Sequence, residues 1–431
     1  MHQDTPVTRS GSSRRDFLLG SAGAAVSLGV ASSLSATPAP DPKRKIKIAL
    51  IGCGGRGTGA ASQALHTEDE VELVAMGDVF ADRLESAHRS LSAGPVGERV
   101  QVPVSQRYVG FDAYKKVLAV PGVEVVILAT PPHFRPDHFK EAIAYGKHVF
   151  MEKPVAVDGA GVRSVLESAR LADDKNVSVG VGLQRHHQAG YIQAMERVHR
   201  GDIGKIVAAR CYWNMGFLWN KERQPAWSDM EWQMRNWLYF TWLSGDHIVE
   251  QHIHNIDVIN WAMQAHPVRA HGMGGRQVRT DIAFGHIFDH HAVEFEYPDG
   301  ARLFSQCRQI RGCKNDVSEH VMGSKGNCDM TGGRFSITGE NPWSPQRLRG
   351  GDPYQVEHDD LFAAIREGVH VNEAKYGAES TLSAIMGRMA TYTGRDVTWE
   401  QALESDRLGP TEYEWGDIET PSVPIPGSRN G

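Results

Sequence analysis

Cysteine is scarce in this chain. There are five in 431 residues, at 53, 211, 307, 313 and 328, and none falls in a C-x-x-C spacing. That excludes a cysteine-built metal ribbon and a disulfide-framed scaffold. One pair, Cys307 and Cys313, lies close enough in sequence to bridge in an oxidising compartment. Excess positive charge is missing too. The formal net charge is -6, so the chain has no electrostatic reason to seek nucleic acid. Beyond residue 40 no apolar run is long enough to span a bilayer. Internal repeats are also absent. With 41% apolar and 23% charged residues, the composition is that of an ordinary globular chain, long enough for two domains.

The first forty residues have a different texture. Arg14 and Arg15 precede Phe17, Leu18 and Leu19, then a short stretch of Ala, Gly, Ser, Val and Leu, then small residues at 33–36. These are the parts of a twin-arginine export signal over residues 1–36. They predict a periplasmic or secreted protein that engages the twin-arginine export machinery. The alternative is a disordered tail or a short anchor helix. The stretch is too short and too rich in Gly and Ser for a stable membrane span.

From 45 to 185 the pattern alternates. "KIKIALIGCG", "VELVAMGDV", "VEVVILAT" and "HVFME" read as apolar strands, and helical spacings lie between them. Continuous apolar strands separated by helices predict a parallel sheet buried on both faces. From 186 to 400 the texture turns strand-rich. A hairpin is predicted around Pro298–Asp299–Gly300 and a second strand pair over "EHVMGSKGNCDMT". The expected class is α/β: a Rossmann domain followed by an α+β domain with an open, mainly antiparallel sheet. The tail, 401–431, is rich in Pro, Gly and acid and is expected to wrap a surface.

The loop "IGCGGRGTG" carries Gly52, Gly54 and Gly57 in the G-x-G-x-x-G spacing, directly after a strand and before a helix. The first glycine permits the tight turn, the second lets a pyrophosphate approach, and the third lets helix and strand pack. Gly55 and Arg56 complete the loop. Phosphates would sit on the helix N-terminus. Asp78 ends the second strand, where a carboxylate binds ribose hydroxyls and repels a 2′-phosphate. The sequence therefore predicts NAD rather than NADP.

"HVFMEKPVA" places Glu152, Lys153 and Pro154 at the carboxyl end of a strand, the edge where ligands sit in open α/β sheets. Pro154 biases Lys153 toward extended backbone. An ammonium there can steady the oxygen of a substrate hydroxyl; a surface ion pair is the plainer reading of the same tripeptide. A hundred residues later comes "GDHIVEQHIHNIDVINW". On one continuous helix, at roughly 100° per residue, His247, Glu250, His254 and Asp257 share a face. Such a stripe suits water, a metal or a substrate. It lacks the His-to-His spacing of a zinc helix, so no metal is predicted. A histidine near its ordinary pKa can accept a hydroxyl proton.

Taken in order, "IALIGCGGRG", "ATPPHF", "AIAYGKHVFMEKPVAV", "GDIGKIV" and the E-x-x-x-H-x-x-D segment followed by Trp261 resemble the Gfo/Idh/MocA oxidoreductases, the family of glucose–fructose oxidoreductase and inositol dehydrogenase. The resemblance covers about 45–400. It implies that Lys153 is the catalytic lysine, His254 the general acid/base, and Asp257 a substrate carboxylate, with Glu250 nearby. It further implies that Thr130, Pro131, His133 and Glu152 line the nicotinamide side, and that subunits pair into dimers or tetramers through the second sheet. Arg185, at a strand end, is expected to touch cofactor or substrate. The aromatic segment "WSDMEWQMRNWLYFTW", with Trp237 and Tyr239, is expected to shape a sugar pocket. Three residues depart from the family pattern: Glu250 stands for Asp, His252 for Gly and Arg135 for His. The function implied is oxidation or reduction of a sugar or polyol CH–OH with a tightly retained cofactor, since an exported enzyme meets little free NAD. The alternative is an NAD-dependent glycoside hydrolase that oxidises C3 transiently and eliminates the aglycone. Relatives of that kind usually lack an intact Glu-Lys-Pro, which favours the redox reading.

Overall fold

Aliphatic and β-branched runs decide the first sheet. In the computed structural model, which describes residues 44–428 apart from 68, 69 and 217, six parallel strands form it. They are β1 (Ile46–Ile51), β2 (Val71–Asp78), β3 (Arg107–Val109), β4 (Val125–Leu128), β5 (His148–Met151) and β6 (Val179–Val181), in the order β3-β2-β1-β4-β5-β6. Alternate residues face opposite sides. Ile48 and Leu50 pack under the helices Gly55–Leu65 and Ala81–Ala93. Ala49 and Ile51 face Arg135–Ala144 and Gly159–Asp174. The strand order reverses between β1 and β4, so a crevice opens at their carboxyl ends. Gly52 and Thr130 stand there. The expected export signal at 1–36 lies outside the described residues. None of the described helices is long and apolar enough to cross a membrane.

The second sheet has eight strands: β7 (Ile206–Met215), β8 (Arg269–Gly275), β9 (His290–Glu296), β10 (Arg302–Gln309), β11 (Asp316–Gly323), β12 (Gly326–Thr331), β13 (Arg334–Gly339) and β14 (Val397–Thr398). Their order is β13-β12-β11-β7-β10-β9-β8-β14, and only the β7–β10 pair is parallel. Both expected hairpins are present, β9–β10 around Asp299–Gly300 and β11–β12. The helices Ile253–Met263 and Ala374–Thr393 pack on one face. On the other, Arg210, Phe304, Glu294 and His271 form a cross-strand row.

Three features depart from the sequence reading. The helix Pro353–Glu367 lies late in the chain yet returns to the first sheet, where Leu361, Phe362 and Ile365 pack with Ile46 and Ile48. Cys307 is buried on β10, Cys313 is exposed, and both thiols are free. The helix expected across 247–264 is broken: His247–Glu250 is one turn, and Ile253–Met263 follows. His252 N–H bonds back to the His247 carbonyl across the break. The extra residue in that turn rotates the two pieces against each other.

Many histidines are sealed inside. Burial lowers the pKa of His133, His138, His252 and His358 to about 3 and that of His247 and His286 to about 4, against an ordinary value of 6.5. Unfolded, these rings take protons near 6.5; folded, they resist until far lower pH. Between those values the unfolded chain binds more protons, so acid favours unfolding. The melting temperature should fall steadily as pH drops from 7 to 4, measured by calorimetry; a flat profile would contradict these burial assignments.

Candidate active site

The glycine loop is shaped by close contacts on one side and open space on the other. Gly52 has φ +97°, and a Cβ there would lie 2.5 Å from the Ala129 carbonyl carbon. A Cβ on Gly57 would lie 1.9 Å from the Gly52 oxygen. Gly54 and Gly55 have nothing within 4 Å of a Cβ. The helix they open has no side-chain cap and no acidic residue in its first turn, so its free N–H groups and dipole favour an anion. Asp78 accepts from Cys53 N–H at 2.6 Å and from Phe80 N–H at 2.8 Å. Burial raises its pKa, and those two bonds oppose the rise. The buried Cys53 is a packing residue beside the Gly77 carbonyl.

A cavity of about 460 Å³ runs from this loop past Asp78, Thr130 and Pro131. Its size and donors fit a dinucleotide. Phe80, Arg83, Phe111 and Tyr114 wall one end, and Arg235 and Trp237 from the aromatic segment, with Trp219 and Lys221 from the loop before it, reach over it. Arg235 fastens that segment to the first domain, bonding Asp82 at 3.1 Å and lying over the Phe80 ring.

A second cavity, of about 180 Å³, shares Trp219 and Trp237 with the first. Lys153, Glu250 and His254 meet in it. Lys153 Nζ donates to the Glu250 backbone carbonyl at 2.6 Å and to its Oε1 at 3.1 Å. His254 is buried with its ring parallel to Trp213, and Nδ1 has no hydrogen-bond partner among the described residues. Burial, then the Lys153 and Arg185 cations, hold its pKa well below the ordinary value. The imidazole is therefore neutral at working pH rather than near its ordinary pKa as expected, and the same burial and cations weaken it as a base.

Other expected residues stand elsewhere. Asp257, three residues on from His254 along the same helix, lines a separate cavity, where it bonds His186 Nε2 at 2.9 Å and accepts from Ser380 at 2.8 Å. His247 bonds Asp246 and packs against the His291 ring. The break at Gln251–His252 puts His247 and Glu250 on one piece and His254 and Asp257 on the next; within each piece it is the partners found by His247 and Asp257 that draw them from the cavity. Arg185 is buried in an ion pair with Glu319 and donates to the His254 carbonyl at 3.1 Å. It lines neither cavity; it supports the helix from behind. His133 bonds the Tyr413 hydroxyl at 2.8 Å and packs edge-on against Trp242. Glu152 pairs with Arg56 Nε at 2.7 Å. Tyr239 is buried and donates to the Trp219 carbonyl at 2.9 Å, so it holds that tryptophan rather than facing the cavity. Asp246, His247 and His291 bring ligand-type atoms within 4.8 Å of one another. Both Asp246 oxygens, however, already accept hydrogen bonds, from His247, Tyr392 and Phe288.

Residues 46–183 match the description "Oxidoreductase family, NAD-binding Rossmann fold", and 191–329 match the "GFO/IDH/MocA C-terminal domain". The chain belongs to the Gfo/Idh/MocA oxidoreductases. It is 29% identical over 259 residues to inositol 2-dehydrogenase 3 of Saccharopolyspora erythraea, covering 59% of this chain and 64% of that one. It is 25% identical over 262 residues to scyllo-inositol 2-dehydrogenase (NAD+) of Bacillus subtilis, covering 59% and 65%. The chain thus spans just under two thirds of the length of these curated relatives. A levoglucosan dehydrogenase solved with NADH and levoglucosan superposes with a TM-score of 0.65 at 16% identity, over 83% of this chain and all of the other. That likeness is one of fold.

Several residues of this family member's site escaped the sequence reading. Trp213 was within reach, because β7 alternates and puts it on the face of Ala209 and Cys211, both buried. Trp219 and Gln251 carried no such signal, one in a loop and one in the helix break. The glycine loop supplies a direct test. Gly57→Ala should cost about 1–3 kcal/mol from overpacking, seen as a lower melting temperature. Gly55→Ala should leave melting unchanged yet weaken NADH binding several-fold in a fluorescence titration, because its methyl enters the open side of the loop.

Proposed function

We propose that this chain oxidises or reduces a CH–OH group of a sugar or polyol, using NAD that it retains between half-reactions. The observation that carries the reading is the meeting of Lys153 and His254 in a small cavity that shares a tryptophan wall with the dinucleotide-sized one. A space of about 180 Å³ suits a single polar ring, and tryptophan faces suit its C–H groups. The dinucleotide, when bound, supplies the hydride acceptor. Lys153 binds the substrate oxygen and stabilises the negative charge that develops on it. Its second partner, Glu250, keeps the ammonium in the cavity. Neutral His254 takes the hydroxyl proton through Nε2, since Nδ1 is sealed, and returns it in the reverse direction. Asp78, facing the larger cavity, favours NAD over NADP by repelling a 2′-phosphate.

Retention of the cofactor is supported by the aromatic segment over the larger cavity and by the Arg235–Asp82 pair that fastens it. It agrees with export through the twin-arginine route to the periplasm or beyond, where free NAD is scarce. The open face of the second sheet, with Phe304 exposed on it, is the proposed surface for pairing into a dimer or tetramer.

Purified mature protein, once denatured, should release dinucleotide, NADH being detectable by absorbance near 340 nm and NAD+ by the same band after enzymatic reduction. Lys153→Ala should lower turnover on a sugar or polyol pair by roughly 10²–10³-fold and leave the dinucleotide bound. Release of p-nitrophenol from p-nitrophenyl glycosides without an acceptor would instead establish the hydrolytic reaction. Unchanged turnover in Lys153→Ala would sink the assignment of the lysine.

A further inference from the structure

Arg135 is the outstanding buried charge outside the residues used so far. It is 1% exposed and opens the helix Arg135–Ala144. Its guanidinium donates to the Thr130 carbonyl, in the loop after β4, and to the Pro154 carbonyl, in the loop after β5. No carboxylate lies within ion-pair distance of it among the described residues. The anions that act on it through space are Glu152 and Glu250. A buried cation is costly, and apolar packing alone would be served by leucine or methionine.

The two carbonyls it spans explain the arginine. Thr130 lines the dinucleotide cavity, and Pro154 follows Lys153 directly. One planar fork therefore ties the floor of the first cavity to the backbone that carries the ammonium of the second. A fork can serve two carbonyls at fixed separation, whereas an ammonium is a single compact donor. The charge also acts on Glu250, the carboxylate that holds Lys153. We propose that Arg135 is a positioning residue for hydride transfer: it sets where Lys153 stands relative to the dinucleotide. This rests on the reading of Lys153 given above.

The experiment is a double-mutant cycle on the holoenzyme with Arg135→Met, Arg135→Lys and Lys153→Ala. Arg135→Met should lower kcat by on the order of 10²-fold, the scale expected for misplacement of a reacting group. KM and bound dinucleotide should stay near wild type, and Arg135→Lys should recover only part of the loss. In the Lys153→Ala background, Arg135→Met should change kcat less than twofold, because the group it positions is gone. An equal fractional loss in both backgrounds, or wild-type kcat in Arg135→Met, overturns the proposal. If Arg135→Met does not fold, Arg135→Lys decides: a lowered kcat with unchanged KM and a near-normal melting temperature supports the brace, and full kcat overturns it. Wild-type turnover in Lys153→Ala alone would instead show that the reading of the lysine has failed, which separates the two hypotheses.

Discussion

The site depends on one half-buried ion pair that crosses between two sheets. Lys153 leaves the end of β5; Glu250 ends a single helical turn beneath the second sheet. The ammonium takes both the carbonyl and the carboxylate of Glu250. Each side chain is only 14% exposed, so water screens the pair weakly and its geometry is worth more than that of a surface bridge. Everything else at the site answers to it. The helix break sets where Glu250 stands, Arg135 sets where the lysine backbone stands, and the tryptophan segment closes what remains open.

That arrangement uses the broken helix in a way a continuous one could not. An unbroken helix would present four titratable groups to one side, crowding two acids and two imidazoles around a single ammonium. The extra residue at Gln251–His252 puts His247 and Glu250 on one piece and His254 and Asp257 on the next, and the partners each finds complete the division. His247 goes to the Asp246 cluster and Asp257 to the His186–Ser380 network, each satisfied by partners of its own. Glu250 and His254 stay in the small cavity. His254 is buried, without a carboxylate partner and beside two cations, which keeps its imidazole neutral.

The aromatic segment joins recognition to enclosure. Its Trp237, and Trp219 in the loop before it, wall both cavities, so anything that moves one alters the other. The segment is held at its base by Tyr239, at its outer edge by Arg235 on Asp82, and from behind by the chain end, where Gln233 bonds the Ile418 carbonyl. The tail also carries Tyr413 and Trp415 onto Phe111. The C-terminal wrapping expected from its composition thus has a purpose, because Phe111 is itself a wall of the larger cavity.

What the sequence determined by itself was local and periodic. Apolar runs between helical spacings define a parallel sheet. Glycines at fixed offsets define the phosphate loop, and alternation after residue 205 defines the second sheet and its hairpins. Lys153 and His254 were legible because each stands in a short pattern with a chemical meaning. What only the tertiary structure decided was which polar groups meet. Asp257, Arg185 and Tyr239 carry suitable chemistry at suitable positions, yet each is spent on a partner far away in sequence. The physical reason is that a buried polar group must find a hydrogen bond wherever the fold offers one, and that choice depends on contacts between distant segments rather than on any local spacing.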